Sequence, residues 1–187
     1  MLDKPKSPKK NIPHKITESS LRNIALNYLH RYASSKENLK LVLRRRVTRS
    51  ARFYDIDIKE SCIWIESLVE QLAKSGIVDD QIYAEGRMRS LFKRGVSPKN
   101  ITQRLKQKGI SCDLIQQVIA KLYTEISNPE LSAAKQLVKR RRLGPYRQTN
   151  SRKERQGKDL AAVARAGFDF QTAHKVIYAE TIEELEE

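Results

Sequence analysis

The chain has 187 residues, of which 37 are Lys or Arg and 22 are Asp or Glu, so its formal net charge is +15. That length holds one large domain or two to three small helical units. An apolar fraction of 39% gives only a thin core, which suits an extended array better than a sphere, because each unit in an array buries surface only against its neighbours. The positive charge predicts a polyanionic partner or an acidic protein surface.

Membrane insertion and secretion are excluded by the apolar pattern. No stretch approaches the roughly 18 apolar residues of a membrane span. The N-terminus is basic and rich in proline but lacks the apolar core of a signal peptide. Cys62 and Cys112 have no disulfide or metal spacing and are expected to be reduced thiols. We therefore expect a cytoplasmic protein that does not bind membranes, with a disordered basic arm over residues 1–19.

The first predicted helix covers about residues 20–32. Helical apolar spacing runs through nearly the whole chain, whereas convincing strand alternation does not occur. In this helix the spacing places two tyrosines on the same buried stripe as the aliphatic side chains. The stripe consists of Leu21, Ile24, Ala25, Tyr28, Leu29 and Tyr32.

Two further helices complete a first triplet. The second helix starts at Ser34 or Ser35, and Ser34 with Glu37 has the spacing of a capping box. A loop is expected near residues 48–59. The third helix follows it and ends at Gly76, as expected of a left-handed residue that closes a helix.

A second triplet begins at the pair Asp79 and Asp80, since acidic side chains cap free amides and suit the positive end of the helix dipole. Its first helix stops at Gly95. Ser97 followed by Pro98 is a start signal for the next helix, because the missing N–H of proline costs nothing at the first helical position.

A third triplet is visible in the last third of the chain. Asn128 and Pro129 open a helix that Gly144 and Pro145 terminate, and the last helix begins near Asp169. The C-terminal ETIEELEE is expected to be a solvated helix end, which could also compete for a basic track or touch a basic partner.

Two segments of the chain resemble each other at a separation of 62 residues. Ser35-Lys36-Glu37-Asn38-Leu39 aligns with Ser97-Pro98-Lys99-Asn100-Ile101. The sequence therefore predicts an all-α fold, built as an elongated tandem array of three-helix repeats with about nine helices. The expected boundaries are 1–19 for the arm, 20–78, 79–127 and 128–180 for the repeats, and 181–187 for an acidic tail.

Catalytic motifs are missing from the sequence. Neither GxxxxGK[ST] nor GxGxxG occurs. The three histidines stand singly, without a second ligand at metal spacing. The pair Asp55 and Asp57 falls in a loop, so a metal-dependent nuclease is the weakest interpretation. We expect a binding protein that is not an enzyme and has no cofactor and no metal site.

Basic clusters recur in every predicted repeat, many of them at helix ends. A cation there complements the helix dipole by about 0.3–1 kcal/mol, but runs of three or four exceed that need. Such clusters would suit a phosphate backbone or a groove lined by acidic side chains. An aromatic content of 6% gives little support to base readout. The cations expected to face a partner are Arg44, Arg45, Arg46, Arg94, Lys99, Arg104, Lys108, Arg140, Arg141 and Arg142.

Three segments together resemble a known family over about residues 20–180. They read ALNYLHRYASSKENLKLVLRRRV, SGIVDDQIYAEGRMRSLFKRGVSPKNITQRLKQKGIS and RRRLGPYR…RQGKDLAAVARAGFDF. The middle segment, with its Asp-Asp cap and its Lys108-Gly109 turn, is the most specific. The chain resembles the RecX family of bacterial recombinase regulators. It departs from that pattern at Arg46-Val47, where the family has a basic residue followed by glycine.

The resemblance implies a regulator of RecA. Members of the family resemble curved arrays of three-helix repeats that lie in the helical groove of the recombinase filament on single-stranded DNA. They suppress ATP hydrolysis, strand exchange and co-protease activity, and so tune recombinational repair and the SOS damage response. The implied partners are the RecA filament and, through phosphate contacts, single-stranded or filament-bound DNA. We expect the protein to be a monomer.

Two other binding functions stay open from the residues alone. One is a stand-alone nucleic-acid-binding helical protein without sequence specificity, whose binding to bare DNA would fall steeply with salt. The other is a helical adaptor for a different acidic protein.

Overall fold

The computed structural model describes residues 13–186, except for the side chains of Thr149 and Glu186. Within that range the regular structure is entirely helical, without a β strand. The prediction of an all-α fold is therefore confirmed, while the curved, elongated arrangement of repeats stays a prediction. The chain divides into two compact units, Met1–Asp79 and Asp80–Glu187.

The first unit contains three helices: α1 (Glu18–Arg31), α2 (Lys36–Ser50) and α3 (Ile58–Lys74). The predicted basic arm lies mostly outside the described residues, and its last two residues are the first turn of α1. This helix begins earlier than predicted because Thr17 caps it. The Thr17 hydroxyl accepts from the Ser20 backbone N–H, and the Ser20 hydroxyl accepts from that of Thr17.

The capping box predicted at Ser34 and Glu37 is wrong. The N-cap of α2 is Ser35, whose hydroxyl accepts from the Asn38 backbone N–H at 3.2 Å. Ser34 instead accepts from the side-chain amide of Asn38 at 2.7 Å. Ser34 is buried, and its hydroxyl holds the side-chain amide of Asn38, which also donates to the Tyr28 hydroxyl at 3.2 Å.

α2 extends further than predicted, through Ser50. No glycine follows Arg46, so nothing stops the helix at the position where the family has its turn. The Ser50 hydroxyl is buried and donates to the backbone carbonyl of His14 at 2.9 Å, which fixes the segment before α1 against the end of α2. The core of this unit is formed by Ile16, Leu21, Ala25, Leu39, Leu43, Val47, Ile65, Leu68, Val69, Leu72 and Val78.

The second unit holds the remaining helices and a short 3₁₀ turn. Leu185 in the last helix is only 2% exposed, so the predicted solvated tail is anchored by one apolar side chain while Glu183 and Glu184 stay exposed. The elements are α4 (Asp80–Lys93), α5 (Pro98–Lys106), α6 (Cys112–Glu125), α7 (Pro129–Arg141), the 3₁₀ turn (Gly144–Tyr146), α8 (Thr149–Arg165), α9 (Phe170–Tyr178) and α10 (Ile182–Glu186).

The two segments that resemble each other fold alike at their start. As Ser35 does for α2, the Ser97 hydroxyl caps α5 by accepting from the Asn100 backbone N–H at 3.3 Å. The aligned apolar positions are fully buried in both: Leu39 and Leu43 in one, Ile101 and Leu105 in the other. Gly76 is left-handed as predicted, with φ of +73°, and Gly95 and Gly109, which follow α4 and α5, are left-handed too, with φ of +68° and +73°.

Two apolar clusters form the core of the second unit, and Phe92 packs against both. One lies among α4, α5 and α6, and the other among α7, α8, α9 and α10. Polar contacts join the same parts: the backbone carbonyl of Ala166 accepts from the Asn100 side chain at 2.8 Å and from the Ser97 hydroxyl at 3.1 Å.

α7 ends two residues earlier than Gly144 and Pro145 predict. The helix ends at Arg141, and Arg142 is the C-cap in the left-handed region, with φ of +53°. Gly144 and Pro145 start the 3₁₀ turn instead. An arginine therefore occupies the conformation that glycine adopts after α3 and α4.

Candidate functional site

The ten predicted partner-facing cations are placed by helix ends and turns of both units. Three lie on α2, four at the end of α4, on α5 and in the turn after it, and three at the end of α7. Lys108 is partly buried and the other nine are exposed. Exposure makes these nine accessible to a partner, but their surroundings differ from one to the next.

Arg44 is engaged by a carboxylate of its own unit. Its guanidinium lies 2.7 Å from Glu66, and Lys40 lies 2.6 Å from Glu66 and 2.8 Å from Glu37. The hydrogen bond from Lys40 lowers the pKa of the Glu66 carboxyl, and the hydrogen bonds to Glu37 and Glu66 raise the pKa of Lys40. Arg44 is therefore a weaker candidate than its neighbours, because part of its charge is compensated.

Arg45 and Arg46 do not share one face of α2, since successive helical residues are about 100° apart. Arg46 lies in line with Arg49, three residues later, and both line a groove against α1. Within the described part of the chain, neither Arg45 nor Arg46 has an ion pair.

Four predicted cations lie around α5. Arg94 follows the end of α4, Lys99 is in the first turn of α5, Arg104 is in its last turn, and Lys108 is in the turn that follows. The amino end of a helix is electropositive, so the helix dipole disfavours Lys99. A favourable interaction with the helix dipole accounts for the position of Arg104, but not for that of Lys99. The positive charge of Lys99 partly opposes the rise in the pKa of Glu130, at the start of α7.

The close approach of Gly95 to α7 gathers cations from two elements. A Cβ on Gly95 would lie 2.8 Å from the Cα of Leu137, and Arg141 is one helical turn beyond Leu137. The backbone of Arg94 therefore lies near the end of α7, where Arg140, Arg141 and Arg142 are exposed.

Two arginines of the Lys- and Arg-rich segment that follows α7 bind within the protein. Arg147 holds the buried Asp159 with two hydrogen bonds, of 2.9 Å from Nε and 2.8 Å from Nη2. Asp159 also accepts from the Gly144 backbone N–H at 3.2 Å, and its hydrogen bond raises the pKa of Arg147. Arg152 donates to the backbone carbonyls of Ala179 and Glu180.

The first unit contains a groove of about 690 Å³ between α1, α2 and the segment that precedes α1. Four cations line it, and none of its lining residues, all within the described range, is acidic. Two tyrosine rings also line it, with centroids 5.3 Å apart. Its cations and tyrosines are Lys15, Tyr28, Arg31, Tyr32, Arg46 and Arg49.

Only Arg46 of this groove was predicted from the sequence to face a partner. Tyr32 was placed on the buried stripe of α1, yet it is 59% exposed. Helical periodicity in the sequence shows which side of a helix is apolar, but it does not distinguish the residues at the edge of the apolar stripe from those at its centre. The signal that could have found the groove is the spacing of Arg46 with Arg49, which share a face only if α2 continues past the predicted start of the loop.

Metal and membrane sites are not found in the described part of the chain. No group of three or more His, Cys, Asp or Glu side chains there could hold a metal ion. No helix among the described residues is both long enough and apolar enough to cross a bilayer. What the surface offers chemically is positive charge for binding an anionic partner.

Comparison with known proteins gives the family. A family model described as "RecX, second three-helix domain" matches residues 79–119. A protein from Myxococcus xanthus named "Regulatory protein RecX" is 41% identical over 175 residues, which are 93% of this chain and 91% of that protein. The chain belongs to the RecX family. RecX proteins are thus regulatory proteins by name, and the all-α fold with a three-helix domain agrees with this membership.

Other RecX proteins match over much of the chain. The one from Agrobacterium fabrum is 29% identical over 166 residues, covering 89% of this chain and 85% of its own length. The one from Leuconostoc citreum is 29% identical over 82% of this chain and 52% of its own length. No solved structure matches the chain.

Proposed function

We propose that this RecX protein regulates the RecA recombinase, mostly by inhibiting it, through binding in the groove of the nucleoprotein filament. The observation that carries the proposal is the 41% identity, over 93% of the chain, to a regulatory RecX protein. In this role it tunes recombinational repair and the damage response in the cytoplasm. It acts as a monomer and catalyses no reaction of its own.

The distribution of charge supports a polyanionic partner. The net charge is +15, and both units carry exposed arginines that have no ion pair among the described residues, such as Arg45 and Arg140. A recombinase filament repeats the same protein surface and carries DNA phosphates along its length. A ligand with several cationic contact points gains avidity on such a surface from weak individual contacts.

A stand-alone nucleic-acid-binding protein is the second candidate function. The basic groove between α1 and α2 favours it, because the groove has aromatic side chains as well as cations. Under this alternative the protein would inhibit recombination only by competing for DNA, and its effect would require amounts that coat the strand.

Adding the purified protein to preformed RecA filaments, and following ATP hydrolysis, separates the two functions. Regulation of the filament predicts inhibition at amounts well below the recombinase. Competition for DNA predicts that inhibition tracks binding to bare single strands and disappears when excess free DNA is added. No effect at stoichiometric amounts would contradict the proposed function.

A further inference from the structure

We propose that the groove between α1 and α2 is a binding site for single-stranded nucleic acid, in which the arginines hold phosphates and Tyr32 stacks on a base. The site needs no recombinase, so the inference goes beyond regulation of RecA and can fail independently of it. It rests on the shape of the groove, its charge and the exposure of its aromatic ring.

Two helices form the walls of the groove. The side of α1 that faces it carries Tyr28, Arg31 and Tyr32, which recur at helical spacing. The opposite wall is the face of α2 that carries Arg46 and Arg49. Both helices bury their other sides in the core of the first unit, so shared packing positions the two walls.

The segment before α1 also lines the groove. The backbone carbonyl of His14 accepts from the buried Ser50 hydroxyl at 2.9 Å. Ile16 is 7% exposed and belongs to the core. These two contacts fix Lys15 beside the groove, where it adds a positive charge to those of the arginines.

Among the described residues, the positive charge of the groove has no compensating carboxylate. Lys15, Arg31, Arg46 and Arg49 are all exposed, and within the described residues none of them has an ion pair. Since none of the described residues that line the groove is acidic, its lining attracts an anion. Elsewhere in the same unit, Lys40 and Arg44 are compensated by Glu37 and Glu66. The contrast marks the groove as the place for an external anion.

The aromatic component distinguishes nucleic acid from other polyanions. The Tyr28 hydroxyl accepts from the Asn38 side chain at 3.2 Å, which holds that ring in place. Tyr32 packs against it, with ring centroids 5.3 Å apart, and yet is 59% exposed. A supported ring with one open side is a platform for a base, and base stacking on aromatic side chains is a general feature of single-strand binding. A duplex hides the faces of its bases, and an acidic peptide offers none.

The test measures the binding of a short fluorescent oligothymidylate by anisotropy, as a function of salt. The groove variant combines Arg31→Gln, Arg46→Gln and Arg49→Gln. The control variant combines Arg22→Gln, Lys59→Gln and Lys74→Gln, which remove the same charge from exposed positions of the first unit outside the groove. Circular dichroism checks that both variants keep the helical content of the wild type.

We expect the groove variant to lose at least about tenfold in affinity and the control variant much less. The slope of log affinity against log salt should fall by about 2 in magnitude for the groove variant, since each phosphate contact with a single strand contributes about 0.7. Tyr32→Ala should weaken binding at least about fivefold without changing the slope, whereas Tyr32→Phe should bind normally. An abasic oligonucleotide should bind the wild type and Tyr32→Ala equally.

Two outcomes would overturn the inference. One is that the groove and control variants lose affinity equally, which would make the binding a property of net charge. The other is that an oligoglutamate of equal charge displaces the oligonucleotide as well as unlabelled oligothymidylate does, which would make the groove a site for acidic peptides. Because no recombinase is present, neither outcome bears on regulation of RecA.

Discussion

Gly95 and Leu137 hold α4 against α7 by direct contact of their backbones. A Cβ on Gly95 would lie 2.8 Å from the Cα of Leu137 and 2.9 Å from the carbonyl oxygen of Ala133. Gly95 also has φ of +68°, a conformation that L side chains adopt at a cost of about 1–2 kcal/mol. The contact places the cations after α4 beside those at the end of α7.

The Gly95→Ala substitution should therefore destabilise the protein by roughly 2–5 kcal/mol, from left-handed strain together with overpacking against α7. Gly76→Ala is the matched control, because Gly76 has φ of +73° but nothing within 4 Å of an added Cβ. It should cost only the strain of about 1–2 kcal/mol. Urea denaturation followed by circular dichroism measures both, and equal losses would mean that the backbone contact is unimportant.

Asp159 joins α8 to the turn after α7. Replacing it with alanine leaves the Arg147 guanidinium and the Gly144 N–H without their partner, so we expect a loss of about 2–4 kcal/mol in the free energy of unfolding. Glu66→Ala removes a carboxylate that is about half exposed and should cost less than about 1 kcal/mol. Comparable losses in urea denaturation would show that Asp159 is not a structural clamp.

The left-handed conformation of Arg142 is predicted to lower the stability of the fold. At φ of +53° glycine is the favoured residue, so Arg142→Gly should raise the free energy of unfolding by about 0.5–1 kcal/mol. The same variant should bind the RecA filament less tightly, because it lacks an exposed cation. Arg142→Asn, which tolerates the left-handed conformation, should weaken binding similarly with a smaller gain in stability. If Arg142→Gly is more stable and binds the filament as tightly as the wild type, then Arg142 does not contact the filament.

Glu130 should make stability depend on pH. Burial and the nearby Asp169 raise the pKa of the Glu130 carboxyl, against an opposing effect of Lys99, and its Oε2 is buried without a hydrogen-bond partner among the described residues. An ionised carboxyl whose folded pKa is raised destabilises the fold. That penalty begins to fall as the pH drops through the folded pKa and is gone below the unfolded pKa, because between the two values the folded state binds the proton and the unfolded state does not.

The Glu130→Gln substitution should accordingly raise the melting temperature at pH 7, and the gain should vanish below the ordinary glutamate pKa of about 4.3. Thermal melts at a series of pH values measure this difference. A lower melting temperature for the variant at pH 7 would mean that the dipole of α7, which favours a negative charge in its first turn, outweighs the burial of the carboxyl.

Much of the fold could be predicted from local signals. The cap at Ser97, the left-handed Gly76, the start of a helix near Asp169 and the end of one before Gly95 lie where the sequence places them. Such signals depend on hydrogen bonds within a few residues, so a single sequence contains them. The cap at Ser35 was misplaced by one residue, because Ser34 is chemically equivalent and only the packing around Asn38 chooses between them.

The candidate site was less predictable because its residues come together through tertiary contacts. In the sequence nothing distinguishes Arg147 from the neighbouring Lys and Arg residues, and only the fold brings Asp159 to it. Tyr32 and Arg49 lie on different helices, and the groove they share depends on where α2 ends. Composition therefore predicts an anionic partner, while the packing of the helices is needed to tell which cations are paired within the protein and which are not.

We propose that exposed cations of this RecX protein recognise the RecA filament. The most direct test of this proposal is the inhibition of ATP hydrolysis by preformed filaments, compared between the wild type and a variant with Arg140, Arg141 and Arg142 all changed to glutamate. A control variant changes Lys153, Arg155 and Lys158, which are exposed on α8 of the same unit, to glutamate and so has the same net charge. The account predicts full inhibition by the wild type, nearly full inhibition by the control, and at least about a tenfold higher requirement for the α7 variant at unchanged helical content. Full inhibition by the α7 variant at the wild-type amount would contradict it.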